Sequence, residues 1–197
     1  DIRISMHPDQ FVIINAKDKA IVKRSIKELD YHCSVLDTMG LNSTAKVQIH
    51  IGGVYGDKEK SIERFIENYD ELSHKIRKRL AIENDDKSYS LKDCLAISKK
   101  AELPIVFDTF HHQCLNNGEN IRHAILRAEN TWKKRDGKMM VDYSNQKIGS
   151  KKGTHNEHID MRLFKKFIIG TKGIDFDIML EIKDKEKSAL KAIKLIK

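Results

Sequence analysis

The sequence predicts an α/β fold: a parallel sheet whose strands alternate with helices, of the kind that closes into a barrel. Three observations carry this. Short β-type runs at residues 3–7, 47–51, 80–83, 105–107, 139–141 and 176–180 alternate with longer amphipathic segments along the chain. The runs are apolar at successive positions, which suits strands covered on both faces better than a half-exposed antiparallel sheet. Each run also closes on Asp, Glu or His, and a parallel barrel opens all its strand ends onto one face.

Taken in order, RISM ends at His7. Val22, Ile26, Leu29, Cys33 and Leu36 then recur at steps of three and four, which places them on one stripe of a helix. VQI ends at His50. Ile62, Phe65, Ile66, Tyr69, Leu72 and Ile76 form a second helical stripe before LAI ends at Glu83. Ser90 and Asp93 have the spacing by which a helix satisfies its first free N–H groups, so a helix is expected to begin near residue 90. PIVF ends at Asp108, and the loop after it is expected to carry His111 and His112. Ile121, Ala124, Ile125, Ala128 and Trp132 form a third stripe, and MMV ends at Asp142. Thr154 and Glu157 repeat the capping spacing, so another helix is expected near residue 155, with His155 and His158 on one face of it. IML ends at Glu181.

Composition bounds the class. No Pro/Gly/Ser-rich linker divides the 197 residues, so residues 1–197 read as a single domain. The content is 40% apolar and 34% charged, as in soluble globular proteins, and no apolar run approaches the ~18 residues a membrane helix needs. Asp1 leads straight into RISMH, so no signal peptide is expected. Cys33, Cys94 and Cys114 are scattered and form no C-x-x-C pair, which argues against a disulfide framework or zinc knuckle and makes a reducing cytoplasm the expected location. The net charge is +8, gathered in clusters at residues 75–79, 133–135, 151–152 and 165–166. Such a surface draws a polyanion, although Lys-rich helix faces are also commonly just solvated.

The six strand ends, His7, His50, Glu83, Asp108, Asp142 and Glu181, would converge on one pocket. Carboxylates with imidazoles, and no cysteine, are the donors of a catalytic rather than a structural metal site. Two or three cations close together can hold a phosphodiester, activate a water and stabilise the leaving oxygen.

SMHPDQF (residues 5–11), VQIHIGG (47–53), LAIEND (80–85), FDTFHHQ (107–113), VDYSNQ (141–146) and GTHNEHID (153–160) occur in this order, and together they resemble the UV damage endonucleases. The resemblance covers nearly the whole chain. It implies a TIM-type (β/α)8 barrel related to those of endonuclease IV and xylose isomerase, with about six of the eight βα units in this chain. It further implies a metal-dependent endonuclease that nicks DNA immediately 5′ to pyrimidine dimers and other distorting lesions. The cofactor would be two or three Mn²⁺ ions, with Mg²⁺, Zn²⁺ or Co²⁺ as substitutes. Carried over motif by motif, the ligands are His7, His50, Glu83, Asp108, His111, Asp142, His155 and Glu181. Glu83, Asp108, His111 and Glu181 would form the catalytic set that activates water, and His7 and His50 would hold an ion facing phosphate charge. Gln10 and Phe11 would probe the lesion, entering the duplex where bases unstack; the other reading of Phe11 is ordinary core packing. Tyr143, Ser144 and Asn145 would meet phosphate or base edges. His112 reads equally as structural or functional, His158 is left open, and His32, His74 and His123 read as surface or core histidines.

Two departures from the family pattern stand out. Met140 occupies the place where some members carry a modified, metal-bridging lysine, so either Asp142 supplies the missing oxygen donor or the centre holds fewer cations. Six strands rather than eight would leave two sheet edges exposed, an invitation to association. The expected partner is damaged double-stranded DNA, with no membrane; a complete barrel would be a monomer, and an open one could associate through its edges. A sugar isomerase or epimerase on the same barrel is the alternative enzyme, and a catalytically impaired DNA-damage binding fragment the alternative binder.

Overall fold

Each strand lies beside the one that precedes it in sequence and runs the same way. The computed structural model describes residues 2–196, and within them β1 (Val47–His50), β2 (Leu80–Glu83), β3 (Ile105–Asp108), β4 (Met140–Tyr143) and β5 (Asp177–Leu180) form one parallel sheet in that order. Helices fill the intervals: α1 (Lys19–Thr38) before β1, α2 (Lys58–Asp70) and α3 (His74–Arg77) before β2, and α4 (Leu91–Ala101) before β3. α5 (Thr109–Cys114) and α6 (Ile121–Glu129) precede β4, α7 (Met161–Gly170) precedes β5, and α8 (Glu186–Ile196) follows it. This is a partial TIM-type barrel, open between β5 and the first residues.

Side chains alternate across the sheet with a period of two. Val47, Ile49, Leu80, Ile82, Ile105, Phe107, Val141 and Tyr143 point out and join the main core with Leu29, Leu36, Phe65, Ile97 and Phe164 from the helices. Ala81, Val106 and Met140 face the barrel interior, where Trp132 packs on them. The same alternation carries Gln48, His50, Glu83, Asp108 and Asp142 to the interior, at the carboxyl ends of their strands. Register pairs His50 with Glu83 and Asp108 with Asp142, while Glu83 pairs with Val106, so the β3 and β4 donors stand one pleat further along than those of β1 and β2.

The opposite end of the barrel is built for stability. Arg79 is fully buried and donates to Asp37 and to the backbone carbonyls of Leu41, Asn42 and Ala45. Lys46 is equally buried, 2.6 Å from Asp136.

Four expectations need correction. The run at residues 3–7 is not a sixth strand: Met6 alone makes a parallel bridge to Val47. Its amide donates to the Lys46 carbonyl and its carbonyl accepts from Gln48, but Pro8 has no N–H with which to extend the ladder. The stripe over residues 62–76 is broken into α2 and α3, because the Ser73 hydroxyl takes the Ile76 N–H and starts the chain afresh. The helix expected near residue 155 starts instead at Met161, where Asp160 accepts from the amides of Arg162 and Leu163. Residues before it turn back on themselves through a bridge between Gln146 and His155, so His155 and His158 share no helix face. Lastly, the segment after Asp108 is a helix rather than a loop: Asp108 caps α5, accepting from the amides of Phe110 and His111. The capping box at Ser90 and Asp93 stands as expected.

One sheet edge, β5, is open, while the outer side of β1 is met by Met6. β5 is only partly covered, and Met179 on it is exposed together with Ile2, Ile193 and Ile196 nearby. No helix of the described residues is long and apolar enough to cross a membrane.

Candidate metal centre

Glu83 is the hub of the interior cluster. It ends β2 with no solvent exposure, and its two oxygens face different neighbours. Oε2 lies 2.9 Å from His7 Nε2 and 3.9 Å from His50 Nε2; Oε1 lies 3.0 Å from His111 Nδ1. Two groups of donors therefore gather within metal-binding range, His7 with His50 and Glu83, and Glu83 with Asp108 and His111. The histidine rings form a chain around this hub, with centroids 5.2 Å apart for His7 and His50, 5.5 Å for His50 and His111, and 5.7 Å for His111 and His155.

Local structure fixes which ring nitrogen is free. Nδ1 of His7 is 2.8 Å from the Pro8 carbonyl, Nδ1 of His111 3.0 Å from the Asn84 carbonyl, and Nδ1 of His155 3.2 Å from the Glu181 carbonyl. A carbonyl only accepts, so each Nδ1 carries a proton and Nε2 is the nitrogen left for a cation to take, the usual support of a metal-ligating histidine. In the metal-free protein Nε2 of His7 is bonded instead to Glu83, and His111 also turns Nδ1 toward Glu83 and Asp108. The Asn84 side chain donates to the Asp108 carbonyl and accepts from the Asp108 amide, both at 3.0 Å, which locks the ends of β2 and β3 together. On the loop after β1, Gly52 has φ +110, and a Cβ there would meet Asn15 Oδ1 at 2.4 Å, so only glycine lets the chain leaving His50 pack against Asn15 and Ile13.

The electrostatics call for a cation. Glu83, Asp108, Asp142 and Glu181 lie close enough to repel one another. Burial, then the charges of Glu83 and Glu181, push Asp108 up to about 8, against the pull of His111. Burial and the same neighbours push Asp142 well above the carboxylate range and raise Glu181. Glu83 goes the other way: burial opposes its charge, but His50, His111 and His7 together hold it well below the usual value. Burial disfavours charged imidazoles, yet the contacts with Glu83 outweigh it, lifting His7 to about 9 and His111 to about 10. Buried Glu83 Oε1, Asp108 Oδ2, Asp142 Oδ1 and His50 Nδ1 lack a hydrogen-bond partner among the described residues. Unpartnered acceptors crowded at one point are costly unless a cation joins them, so the donors present fit a divalent metal, with Glu83 able to serve two ions.

The remaining expected residues divide. Asp142 reaches the cluster through Gln48, whose side-chain amide lies between it and Glu83. Glu181 and His155 approach from the open side, 3.8 Å apart. Gln10 and Phe11 stand exposed on the loop leaving His7; Phe11 is 75% exposed, which overturns its reading as core, and its amide is held by Asp9. Tyr143, Ser144 and Asn145, expected to meet DNA, are all buried. Tyr143 points out of the barrel and packs on Phe164 and Phe167 at 5.0 Å each, while Asn145 accepts from the Asp160 amide; these side chains build the wall. His112 is buried against Phe107, and exposed His158 pairs with Asp184. Met140 lies among Ala81, Val106 and Trp132 below the cluster, a packing residue with no donor to offer. Gln48 and Asn84 were missed, although each stands inside a quoted motif: Gln48 shares a strand face with His50, and Asn84 follows Glu83.

Comparison with known proteins agrees with this fold. The family model described as UV-endonuclease UvdE matches residues 1–197. A UV DNA damage endonuclease of Clostridium perfringens (strain 13 / Type A) is 41% identical over 198 residues, covering 100% of this chain and 48% of the relative. One from Bacillus mycoides (strain KBAB4) is 35% identical, over 98% of this chain and 62% of its own length. The chain thus spans about half to two-thirds of these curated relatives. A crystal structure of SacUVDE superposes with a TM-score of 0.93 at 48% identity, over 99% of this chain and 65% of that one. A structure of L-ribulose 3-epimerase has a TM-score of 0.63 at 18% identity, which is a likeness of fold alone. With the family model matching its whole length and a curated relative 41% identical across it, the chain belongs to the UV-endonuclease UvdE family.

Proposed function

We propose that this chain carries the metal centre of a DNA repair endonuclease that cuts the phosphodiester backbone 5′ to UV photoproducts and other distorting lesions. The observation that supports it best is Glu83: buried, shared between two donor groups, and set at the strand ends where parallel barrels keep their active sites. His7, His50 and Glu83 would hold one divalent cation, and Glu83, Asp108 and His111 another, with Asp142, His155 and Glu181 completing their shells. Mn²⁺ is the proposed ion. Bound cations of this kind supply Lewis acidity to a phosphate and lower the proton affinity of an attacking water.

The chain's own groups do the rest. The carbonyls of Pro8, Asn84 and Glu181 hold the imidazoles in one tautomer, so the donors need not reorganise when substrate arrives. Phe11 and Gln10 project from the loop that also holds His7, so a residue that fills the gap of an unstacked lesion is tied to the centre that cuts beside it. Damaged stacks open more cheaply than intact ones, and this difference would set lesion choice more than base readout. Lys151 and Lys152, on the turn that leads to His155, would grip the backbone, whereas the clusters at 75–79 and 133–135 lie before β2 and β4, at the opposite end of the barrel. Work on chromosomal DNA goes with a cytoplasmic location.

The test is nicking of UV-irradiated against unirradiated supercoiled plasmid, with Mn²⁺ and with EDTA. Nicks that require both damage and metal support the proposal. Equal nicking of undamaged plasmid, or nicking that survives EDTA, overturns it.

A further inference from the structure

Gln48 stands at the geometric middle of the carboxylates and has no assigned role. It sits one pleat below His50 on the same face of β1, paired in register with Ala81, and is almost fully buried. Its Nε2 donates to Glu83 Oε2 at 3.1 Å and to Asp142 Oδ2 at 2.5 Å, so both hydrogens of one amide are spent on two carboxylates from different strands. The oxygens left over, Glu83 Oε1 and Asp142 Oδ1, are buried without a hydrogen-bond partner among the described residues.

We infer that Gln48 is a positioning residue that clamps Glu83 and Asp142 by one oxygen each and leaves their other oxygens aimed at bound cations. This inference rests on the metal-centre reading above. A neutral donor is the residue type the place needs. A carboxylate there would add to the repulsion between two buried acids, an apolar side chain would leave both Asp142 oxygens and Glu83 Oε1 unpartnered, with Oε2 held by His7 alone, and a Lys would neutralise charge that a cation requires. The clamp also explains how Asp142 belongs to the centre. It lies in register with Asp108 but outside both donor groups that form directly around Glu83, and the Gln48 amide is its link to them. With Met140 packed into the apolar layer beneath, Asp142 is the oxygen donor that β4 offers.

The experiment reads cation affinity rather than cutting. Mn²⁺ is titrated calorimetrically into the metal-free chain and into Gln48→Met, which keeps length and volume but removes the amide. Groups that orient metal ligands are worth 10–100-fold in affinity, so at least a roughly tenfold loss is expected, with the melting temperature of the metal-free protein little changed. Val106→Ala, an interior position in register with Glu83, serves as the control: it should lower stability without lowering affinity. If Gln48→Met does not fold, Gln48→Asn, whose amide is too short to span both acids, carries the same test. Unchanged affinity in the folded variant, or an equal loss in Val106→Ala, would overturn the clamp while leaving the metal centre intact. Failure of the unaltered chain to bind Mn²⁺ would overturn both.

Discussion

Nδ1 of His111 lies 3.0 Å from Oε1 of Glu83, although the two residues come from different βα units. The contact exists because β2 delivers Glu83 to the strand end and α5, capped by Asp108, turns His111 back over it. Replacing Glu83 by Gln keeps the shape but removes the charge both donor groups share. Nicking should fall by about 10²–10³-fold, the scale of losing one electrostatic contact in an active site. Binding of damaged DNA in EDTA, measured by gel shift, should change by no more than about twofold, because Glu83 has no solvent-exposed surface with which to meet DNA.

Phe11 separates lesion recognition from stability. Its ring is exposed, and only its backbone amide is fixed, by Asp9. Phe11→Ala should therefore alter unfolding free energy by no more than ~0.5 kcal/mol. Stacking a base on an aromatic ring is worth about 1–3 kcal/mol, so affinity for UV-damaged duplex should drop roughly tenfold and affinity for intact duplex little. Equal losses on both duplexes would make Phe11 a general contact rather than a probe.

Much of this was legible in the sequence, and particular residues explain what was not. The strand runs at 47–51, 80–83, 105–107 and 139–141 are buried on both faces, so apolar content alone locates them. Residues 3–7 looked the same but sit at an edge beside Pro8, and whether an edge run pairs depends on a neighbour that the pattern cannot display. Tyr143 was expected at DNA through its motif; strict alternation from Asp142 sends its ring outward, where it lies buried against Phe164 and Phe167. The same rule applied to His50 would have found Gln48. His111 followed from the Asp-x-x-His spacing, but the cap by which Asp108 sets its direction is a tertiary fact: the carboxylate had been read only as a ligand.

Lys46 and Asp136 test the division between the two ends of the barrel. Their buried contact at 2.6 Å lies at the start of β1, where Lys46 also donates to the Lys78 carbonyl. Lys46→Met would strand the Asp136 carboxylate, and breaking one partner of a buried pair typically costs about 3–5 kcal/mol. Chemical denaturation should show a loss of that size, while Mn²⁺ affinity of the folded fraction stays as it was, because the interior donors sit at the other ends of the strands.

The proton balance of the centre yields a prediction with a definite sign. His7 at about 9 and His111 at about 10 both lie above the ordinary imidazole value near 6.5, and Asp108 at about 8 lies above the carboxylate value near 4. Between about pH 5 and pH 9 the metal-free native state therefore binds more protons at these groups than the unfolded chain does, and stability falls as pH rises wherever the native state is the better proton binder. Glu83, held low, has the opposite sign but acts only below its unfolded value, outside this window. The melting temperature of the metal-free protein should thus decline from pH 6 to pH 9. A bound cation competes with those same protons, so Mn²⁺ affinity should rise over the same interval and the Mn²⁺-loaded protein should melt higher at pH 8 than at pH 6. Thermal melts across this range with Mn²⁺ and with EDTA read both slopes, and a metal-free melting temperature that climbed with pH would refute the proposed charge state of the centre.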